Sequence, residues 1–274
     1  MNIYEFKKLQ KVQIEIMDEI HRICTENNIT YYIIGGTALG ARRHSGFIPW
    51  DLDIDIAMPR EDYENFADIC KSALSPRFMY RNYRNTKAYS HPHALLCIKN
   101  TFLSNKFSKY NPTEYNIGIY LDIFPLDSAP NDHKQQIKQA KKLQQIKKLK
   151  QLKQAYKYDN NRIKNMLKDI ISTMIFWTTI DKINAIFDNE CKKYNLCDST
   201  YVCSMASHYT YQKQCMPIEI YGTPQLVKFE NREYFAPELL DEYLSIIYGD
   251  YMSLPPKNEQ KANLEVFDEV IFDC

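Results

Sequence analysis

The feature that most constrains this chain is a stretch beginning at Tyr31 that reads YYIIGGTALGARRHSGFIPWDLDIDIAMPR. Its apolar start, Tyr31–Ile34, predicts a buried strand, because a short apolar run that ends at glycine is typical of one. Gly35 and Gly36 follow directly. Backbone N–H groups of a glycine turn at the start of a helix are well suited to bind phosphate. Gly35, Gly36 and Thr37 are therefore candidate phosphate ligands.

The same stretch closes with a second predicted strand that carries Asp51, Asp53 and Asp55 at every other position. Side chains alternate between the two faces of a strand, so these carboxylates are expected on one face and the aliphatic residues between them on the core side. Like charges so close repel each other, and a hard divalent cation such as Mg²⁺ or Mn²⁺ relieves that repulsion. An exposed edge strand with a solvated acidic face is the alternative.

Basic residues lie between the glycines and the acidic row. A short helix is predicted over Thr37–Arg43, and Arg43, at its end, and His44 are expected on a loop near the acidic strand. A guanidinium binds phosphate with two hydrogen bonds, so Arg43 is a candidate phosphate contact, with pairing to the aspartates as the alternative. His44 could bind phosphate, transfer a proton or only hold the loop, and Trp50 is expected to belong to the core.

The order of apolar strand, Gly-Gly-Thr, spacer and Asp-x-Asp resembles the signature of the nucleotidyltransferase superfamily. The fuller run GGTALGARRHSGFIPWDLDIDIAMPR is more similar to the LicD family of phosphocholine and related phospho-alcohol transferases. Two further stretches match that family, IYLDIFPLD (Ile119–Asp127) and VKFENREYFAPELLDEYLSIIYGDYMSLPP (Val227–Pro256). The chain departs from the family pattern at Leu52, usually Asp, and at Lys257–Gln260, where basic residues and histidine are common. Leu52 falls on the core side of the strand, so no metal ligand is expected to be lost.

The resemblance implies an α+β fold, with a small mixed sheet of nucleotidyltransferase type flanked by helices. It also implies a magnesium ion held by Asp53 and Asp55, with Asp51 assisting directly or through water. Such sites commonly take a third carboxylate from a neighbouring strand. Asp122, on the polar face of a strand predicted over residues 115–124, is the candidate metal ligand or proton acceptor. Asp127 is expected in a turn or helix cap.

The resemblance also supplies the substrate class. It implies a CDP-activated alcohol as donor, CDP-choline first, with phosphoethanolamine, ribitol-phosphate and glycerol-phosphate donors as further options. Arg43 would then neutralise charge on the CMP leaving group. The implied acceptor is a hydroxyl of a glycan or lipid-linked glycan, such as a capsular polysaccharide, teichoic acid or lipopolysaccharide precursor. If the alcohol is choline, some of the 21 tyrosines should surround it through cation–π contacts.

Other classes of protein remain open at this stage. One is a nucleotidyltransferase that moves a nucleotide onto a small molecule, sugar or protein and releases pyrophosphate. A second is a non-catalytic scaffold, which the complete row of aspartates disfavours. A third is a nucleic-acid binder that works through the lysines of residues 134–157. The net charge of +1, however, creates no overall positive potential that would attract nucleic acid.

The chain divides into a catalytic core at residues 1–130, a basic helical insertion at 131–190 and a C-terminal part at 191–274 that completes the same domain. An amphipathic helix is predicted over residues 3–26. Residues 133–158 hold nine lysines and no acidic residue, which favours a helix with a solvated basic side. The alternative is a surface that rests on an anionic membrane. A second helix, Ile163–Phe187, contains the apolar patch Ile170–Trp177.

The remaining residues give weaker signals. The chain shows no N-terminal signal peptide and no apolar run long enough to span a membrane, so a cytoplasmic protein is expected, with peripheral membrane contact as the option raised by the basic helix. The eight cysteines lack CxxC spacing. Free buried thiols are therefore favoured over a zinc site built from Cys191, Cys197, Cys203 and Cys215 with His208. His91 and His93 flank Pro92 without partners at a recognised metal spacing, and they are expected to be loop residues.

Overall fold

The computed structural model describes residues 2–105, 118–153, 165–166, 178–260 and 267–272. The helices are α1 (Ile3–Glu26), α2 (Gly35–His44), α3 (Arg60–Ala73), α4 (His133–Lys153), α5 (Ile180–Cys191), α6 (Tyr211–Gln214), α7 (Ile218–Tyr221) and α8 (Leu240–Tyr248), with a 3-10 turn at Lys192–Tyr194. The strands are β1 (Tyr32–Ile33), β2 (Asp55–Pro59), β3 (Phe78–Arg81), β4 (Ala94–Ile98), β5 (Phe102–Asn105), β6 (Tyr120–Ala129), β7 (Tyr201–Cys203), β8 (Cys215–Pro217), β9 (Gln225–Phe229), β10 (Arg232–Ala236) and β11 (Phe267–Ile271).

Strand β6 is the centre of a mixed sheet whose strands run in the order β1-β2-β6-β4-β3. Its first half pairs in parallel with β2 and antiparallel with β4, and its second half pairs antiparallel with β7, which pairs in turn with β8. Strands β9 and β10 form a separate hairpin, and β5 pairs with β11. Helices pack around the main sheet, so the fold is α+β, as predicted.

Helix α1 confirms the prediction for residues 3–26. Its first turn is closed by a capping box, in which the side chains of Asn2 and Glu5 each accept the backbone N–H of the other residue. The predicted apolar stripe is buried against the sheet, since each of these residues is at most 7% exposed: Leu9, Val12, Ile16, Ile20 and Ile23. Helical spacing alone therefore identified the face of this helix that forms the core.

The acidic row is less regular than predicted, because β2 begins only at Asp55. Strand β1 is two residues long and pairs with the part of β2 that follows Asp55, so residues 51–54 have no partner strand on that side. The faces are nevertheless as predicted, since Leu52, Ile54 and Ile56 are all buried. Helix α2 also begins earlier than expected, at Gly35, whose φ of +55° suits a residue without a Cβ.

Strand β6 lies further along the chain than the strand predicted over residues 115–124. It begins at Tyr120 and extends to Ala129, because β7, which is distant in sequence, pairs with its second half. The alternation is as predicted: Leu121 and Ile123 are fully buried, and Asp122 lies half-buried on the other face. Residues 115–117 lie outside the described residues.

The basic helix α4 packs on α5 and on the common core. Leu143 and Ile146 are buried in that core together with Ile183 and Phe187 of α5. Helix α5 begins after Thr179, whose hydroxyl accepts the N–H of Lys182, and it covers the end of the helix predicted over Ile163–Phe187. Residues 165–166 of that range are helical as well. The apolar patch Ile170–Trp177 lies outside the described residues.

In the C-terminal part, the sequence predicts strands at Leu226–Phe229 and Glu233–Phe235 and a helix over Pro237–Tyr248 that ends at Gly249. The hairpin β9–β10 and helix α8 occupy the positions predicted for two strands and a helix, although the helix begins at Leu240 rather than Pro237. Gly249 ends the helix with a φ of +73°, a backbone conformation that glycine adopts at little cost. Tyr243 of α8 accepts the backbone N–H of Gly35 at 3.0 Å, so this part is joined to the start of α2.

Candidate active site

Three carboxylates meet where β2 and β6 lie side by side. The parallel register places Asp122 directly beside Asp55, and Asp53 comes from the extended segment just before β2. One carboxylate oxygen from each of these residues can be chosen so that all three oxygens lie within 4.8 Å of one another. Alternation on two neighbouring strands therefore gathers three acidic groups into one small volume, which we call the carboxylate trio.

The trio is electrostatically crowded. Burial, followed by the charges of Asp51 and Asp122, raises the pKa of Asp53 well above its ordinary value. Asp53 itself is exposed where it lines the cleft, whereas Asp55 and Asp122 are half-buried. Burial and the charges of its acidic neighbours likewise raise the pKa of Asp55. Three oxygen ligands at such distances suit a hard divalent cation, which would balance these charges.

Asp51 lies beside this trio rather than within it. A Cβ on Gly36 would come within 2.6 Å of the Asp51 carboxylate, and one on Gly35 would lie 3.4 Å from the carboxylate of Asp55. The hydroxyl of Thr37 accepts the backbone N–H of Asp55 at 2.9 Å. The predicted phosphate ligands of α2 are thus close to the acidic residues, and the two glycines leave the room that the carboxylates occupy.

Arg43 and His44 belong to the last turn of α2 rather than to the predicted loop, and they contact each other. The Arg43 guanidinium donates to the Tyr251 carbonyl at 2.9 Å, to the Ser253 carbonyl at 3.3 Å and to Nε2 of His44 at 3.0 Å. The His44 ring packs edge-on against Trp50, which is half-buried against the core. Arg43 thereby connects α2 to the segment that follows α8.

Two histidines that the sequence left unassigned belong to the site. His93 Nε2 donates to Asp122 Oδ1 at 2.5 Å, while its Nδ1 is buried and has no hydrogen-bond partner among the described residues. One ring nitrogen of His91, one ring nitrogen of His93 and one carboxylate oxygen of Asp122 lie within 4.8 Å of one another. Burial, followed by the charge of His93, lowers the pKa of His91 to about 3. His91 and His93 lie in the loop before β4, as expected, and this loop brings both rings close to Asp122.

The two histidines could have been found from alternation. They precede β4 in the order His91, Pro92, His93, and β4 pairs antiparallel with β6 so that Leu95 lies opposite Asp122. Residues two apart on an extended segment share a face, so this register carries both rings to the side of the sheet that Asp122 occupies. The signal needs the pairing of β4 with β6, which the sequence alone did not provide.

Asp127 has a different role from the one predicted. It is fully buried on β6, not in a turn or cap, and it accepts two hydrogen bonds from the Arg60 guanidinium at 2.6 and 2.7 Å. Arg60 also donates to Asp188 of α5 at 2.9 Å, so one cation joins α3, β6 and α5. The correction follows from the length of β6, because a strand that continues past Pro125 carries Asp127 into the interior.

A cleft of about 490 Å³ opens over the carboxylate trio. One wall holds the trio with His91 and His93, and the other wall is formed by α4, α5 and the segment around His208. Two lysines of α4, Lys147 and Lys150, line this second wall. The basic helix therefore contributes to the cleft as well as to the surface.

The described cysteines are free thiols, as expected: Cys24, Cys70, Cys97, Cys191 and Cys203 are buried, Cys215 is half-buried and Cys197 is exposed. In the part of the chain that the structure describes, the side-chain groups that could hold a metal ion contain no cysteine. A search of the same residues finds no helix with the length and apolar character needed to cross a membrane.

The sheet, the glycine-led helix and the trio are the parts of a nucleotidyltransferase domain. Residues 28–154 match the family model described as "LicD/FKTN/FKRP, nucleotidyltransferase domain". The chain is also 30% identical, over 94% of its own length and 95% of the other, to the lipopolysaccharide cholinephosphotransferase LicD of Haemophilus influenzae. The protein belongs to the LicD family and is a transferase.

Shorter matches involve two uncharacterised proteins. One, from Rickettsia typhi, is 43% identical over 26% of this chain and 21% of its own. The other, from Rickettsia prowazekii, is 34% identical over 28% of this chain and 36% of its own. These matches cover part of each protein, whereas the similarity to the Haemophilus protein extends over nearly the whole of both chains.

Proposed function

We propose that this protein transfers a phospho-alcohol, phosphocholine first, from a CDP-activated donor to a hydroxyl of a cell-surface glycan or glycolipid precursor. The observation that carries the proposal is the carboxylate trio, in which the register sets Asp55 beside Asp122 in a cleft large enough for a small ligand. Full-length similarity to a protein named as a lipopolysaccharide cholinephosphotransferase supports the choice of phosphocholine and of a glycolipid acceptor.

In this proposal Asp53, Asp55 and Asp122 hold Mg²⁺ or Mn²⁺, and Asp51 assists from its position beside Gly36. The ion, when bound, supplies a positive charge that stabilises the phosphate oxygens as the leaving group departs. The start of α2, with Gly35, Gly36 and Thr37, keeps the acidic segment close to the donor phosphates.

The remaining steps concern protons and the leaving group. The acceptor hydroxyl attacks the phosphorus that bears the alcohol, CMP leaves, and the hydroxyl proton passes to Asp122, which His93 holds in place. Arg43, with His44 beside it, is proposed to balance charge on the CMP side of the site. Its present hydrogen bonds to the carbonyls of Tyr251 and Ser253 would have to rearrange for that contact.

The test is a thermal-shift panel with Mg²⁺ and each of CDP-choline, CDP-ethanolamine, CDP-ribitol, CDP-glycerol, CTP and ATP. A ligand present at about 100 times its dissociation constant should stabilise the fold by roughly 2.7 kcal/mol. We expect a shift with one CDP-alcohol, followed by release of CMP when an acceptor glycan is added. Asp53→Asn is the control, and it should remove the turnover.

Two outcomes would count against the proposal. A shift with CTP or ATP alone, followed by release of pyrophosphate, would make the protein a nucleotidyltransferase that moves the nucleotide itself. No shift with any of the six ligands, in the presence of either metal, would point to a binding protein instead. A shift selective for CDP-ribitol or CDP-glycerol would keep the reaction and change the alcohol.

A further inference from the structure

The wall of the cleft that faces the carboxylate trio is basic. Helix α4 places Lys147 and Lys150 on this wall, and His208 joins them from the segment before α6. His93 and Asp122 line the same cleft, so the two walls face each other across it. One side of the cleft is therefore suited to a metal ion and the other to an anion.

Lys147 is the informative residue on this wall. Its ammonium donates to the Ser207 carbonyl at 2.9 Å and lies 5.6 Å from the centre of the Phe187 ring. Among the described residues no carboxylate forms an ion pair with it, whereas Lys142 on the same helix pairs with Glu190 at 2.7 Å. Burial lowers the pKa of Lys147 because the charged form loses contact with water. An anion in the cleft would offset this cost.

We propose that Lys147, with Lys150 and His208, forms an anion subsite that binds the diphosphate of the donor across the cleft from the carboxylate trio. The inference rests on the proposed function for the identity of that diphosphate. It adds phosphate contacts from α4 to those expected from Arg43 and the start of α2. The negatively charged diphosphate would then have a positive charge on each side, the metal ion on one and the ammonium group on the other.

The helix itself supports this assignment. Leu143 and Ile146 anchor α4 in the core, so Lys147 projects from a rigid element whose position is set by packing. The neighbouring Lys148 is exposed, because one step along a helix turns the side chain by about 100°. Lys147 and Lys148 therefore form a matched pair, with the same chemistry on the same helix turn and only one member in the cleft.

The experiment is calorimetric titration of magnesium pyrophosphate into the wild-type protein, Lys147→Gln and Lys148→Gln. A charge-assisted hydrogen bond of ordinary strength corresponds to at least about a tenfold change in affinity. We expect Lys147→Gln to bind pyrophosphate about tenfold more weakly or worse and Lys148→Gln to bind as the wild type does. Circular dichroism establishes that each variant is folded, and Lys150→Gln, expected to weaken binding in the same direction, replaces Lys147→Gln if that variant does not fold.

Equal affinity of the wild type and Lys147→Gln, or no binding of pyrophosphate by the wild type, would overturn the subsite. A Lys147→Gln variant that binds pyrophosphate normally but loses binding to phosphatidylglycerol vesicles would assign the lysine to a lipid phosphate instead, and would also overturn it. Failure of the proposed function is read separately. A wild type that releases no CMP from any CDP-alcohol refutes that function, whatever the pyrophosphate affinities are.

Discussion

At the scale of single residues, the carboxylates of Asp53, Asp55 and Asp122 define the site because they repel one another. Burial strengthens this repulsion, since less water screens the charges. A folded protein that holds such a group in place without a cation loses stability at the pH where the group ionises. The site is thus expected to cost the metal-free protein stability and to recover it on binding a cation.

The first prediction concerns Asp55→Asn. Because the folded-state pKa of Asp55 is raised, the metal-free wild type loses stability as pH rises from about 4 through that raised pKa. The variant should therefore be more stable than the wild type at pH 7 in EDTA, by on the order of 1 kcal/mol in the free energy of unfolding, and should unfold at a higher temperature. Its activity should fall at least about a hundredfold. Asp68→Asn, on the exposed face of α3, is the control, and full turnover by Asp55→Asn would contradict the metal assignment.

The second prediction concerns His93, which we treat as a positioning residue for Asp122. Replacing it with Asn removes the 2.5 Å hydrogen bond that orients the carboxylate. Loss of such a partner typically weakens a metal site by about 10- to 100-fold. We expect the Mg²⁺ concentration for half-maximal rate to rise by that factor and the rate at saturating Mg²⁺ to recover in part. The exposed His133, changed to Asn, should leave the metal dependence unchanged, and an unchanged dependence in the His93 variant would refute the role.

At the scale of secondary-structure elements, a buried ionic network joins α3, β6 and α5 beneath the site. Arg60 of α3 bridges Asp127 of β6 and Asp188 of α5. Asp188 also accepts from Tyr83 at 2.8 Å and pairs with Lys192 at 2.7 Å. This network is expected to hold the wall that carries α5 against the sheet that carries the trio.

The third prediction tests this network through Asp188→Asn. Burial alone would raise the pKa of Asp188, but Arg60, Lys192 and Tyr83 together lower it to about 2. A lowered folded-state pKa contributes stability above the ordinary aspartate value of about 4 and loses it as pH falls toward 2. The variant should be less stable than the wild type at pH 7 by about 2 kcal/mol.

Urea unfolding of both proteins at successive pH values measures this difference. It should be constant from pH 7 to pH 5 and become smaller below pH 4, because the wild-type carboxylate then binds a proton. A difference that stays the same at every pH at which both proteins fold would show that the charge of Asp188 does not stabilise the fold. The exposed Asp68→Asn again serves as the control.

At the scale of the whole molecule, α4 presents two basic surfaces. Lys147 and Lys150 line the cleft, whereas these lysines are exposed on the outer side: Lys134, Lys138, Lys141 and Lys148. Each lysine near an anionic membrane adds about 1 kcal/mol to binding. The outer side is therefore where a membrane or a lipid-linked acceptor would contact this protein.

The fourth prediction follows from that division. Changing all four outer lysines to Gln should strongly reduce co-sedimentation with phosphatidylglycerol vesicles while turnover of a soluble acceptor is retained. The loss should be largest at low salt, because screening already weakens these contacts at high salt. Vesicle binding that is equal in the wild type and the variant would refute a membrane role for this side of α4. The assay uses neutral phosphatidylcholine vesicles as its negative control.

By itself, the sequence determined the features that depend on local geometry and composition. Helical spacing defined α1, alternation placed Asp53 and Asp55 opposite the core residues Leu52 and Ile54, and Gly249 marked the end of α8. The resemblance of the glycine and aspartate motifs identified the family that the full-length comparison then showed. These signals lie within a few residues of each other, where backbone periodicity alone decides which side chains share a face.

Only the tertiary structure decided which distant residues meet. The pairing of β4 with β6 brought His93 to Asp122, the extension of β6 against β7 buried Asp127 with Arg60, and the packing of α4 on α5 turned Lys147 into the cleft. Each of these contacts depends on strand register or on helix docking, which are set by the burial of many side chains at once. The sequence therefore carried the chemistry of individual residues, and long-range packing decided which of them could act together.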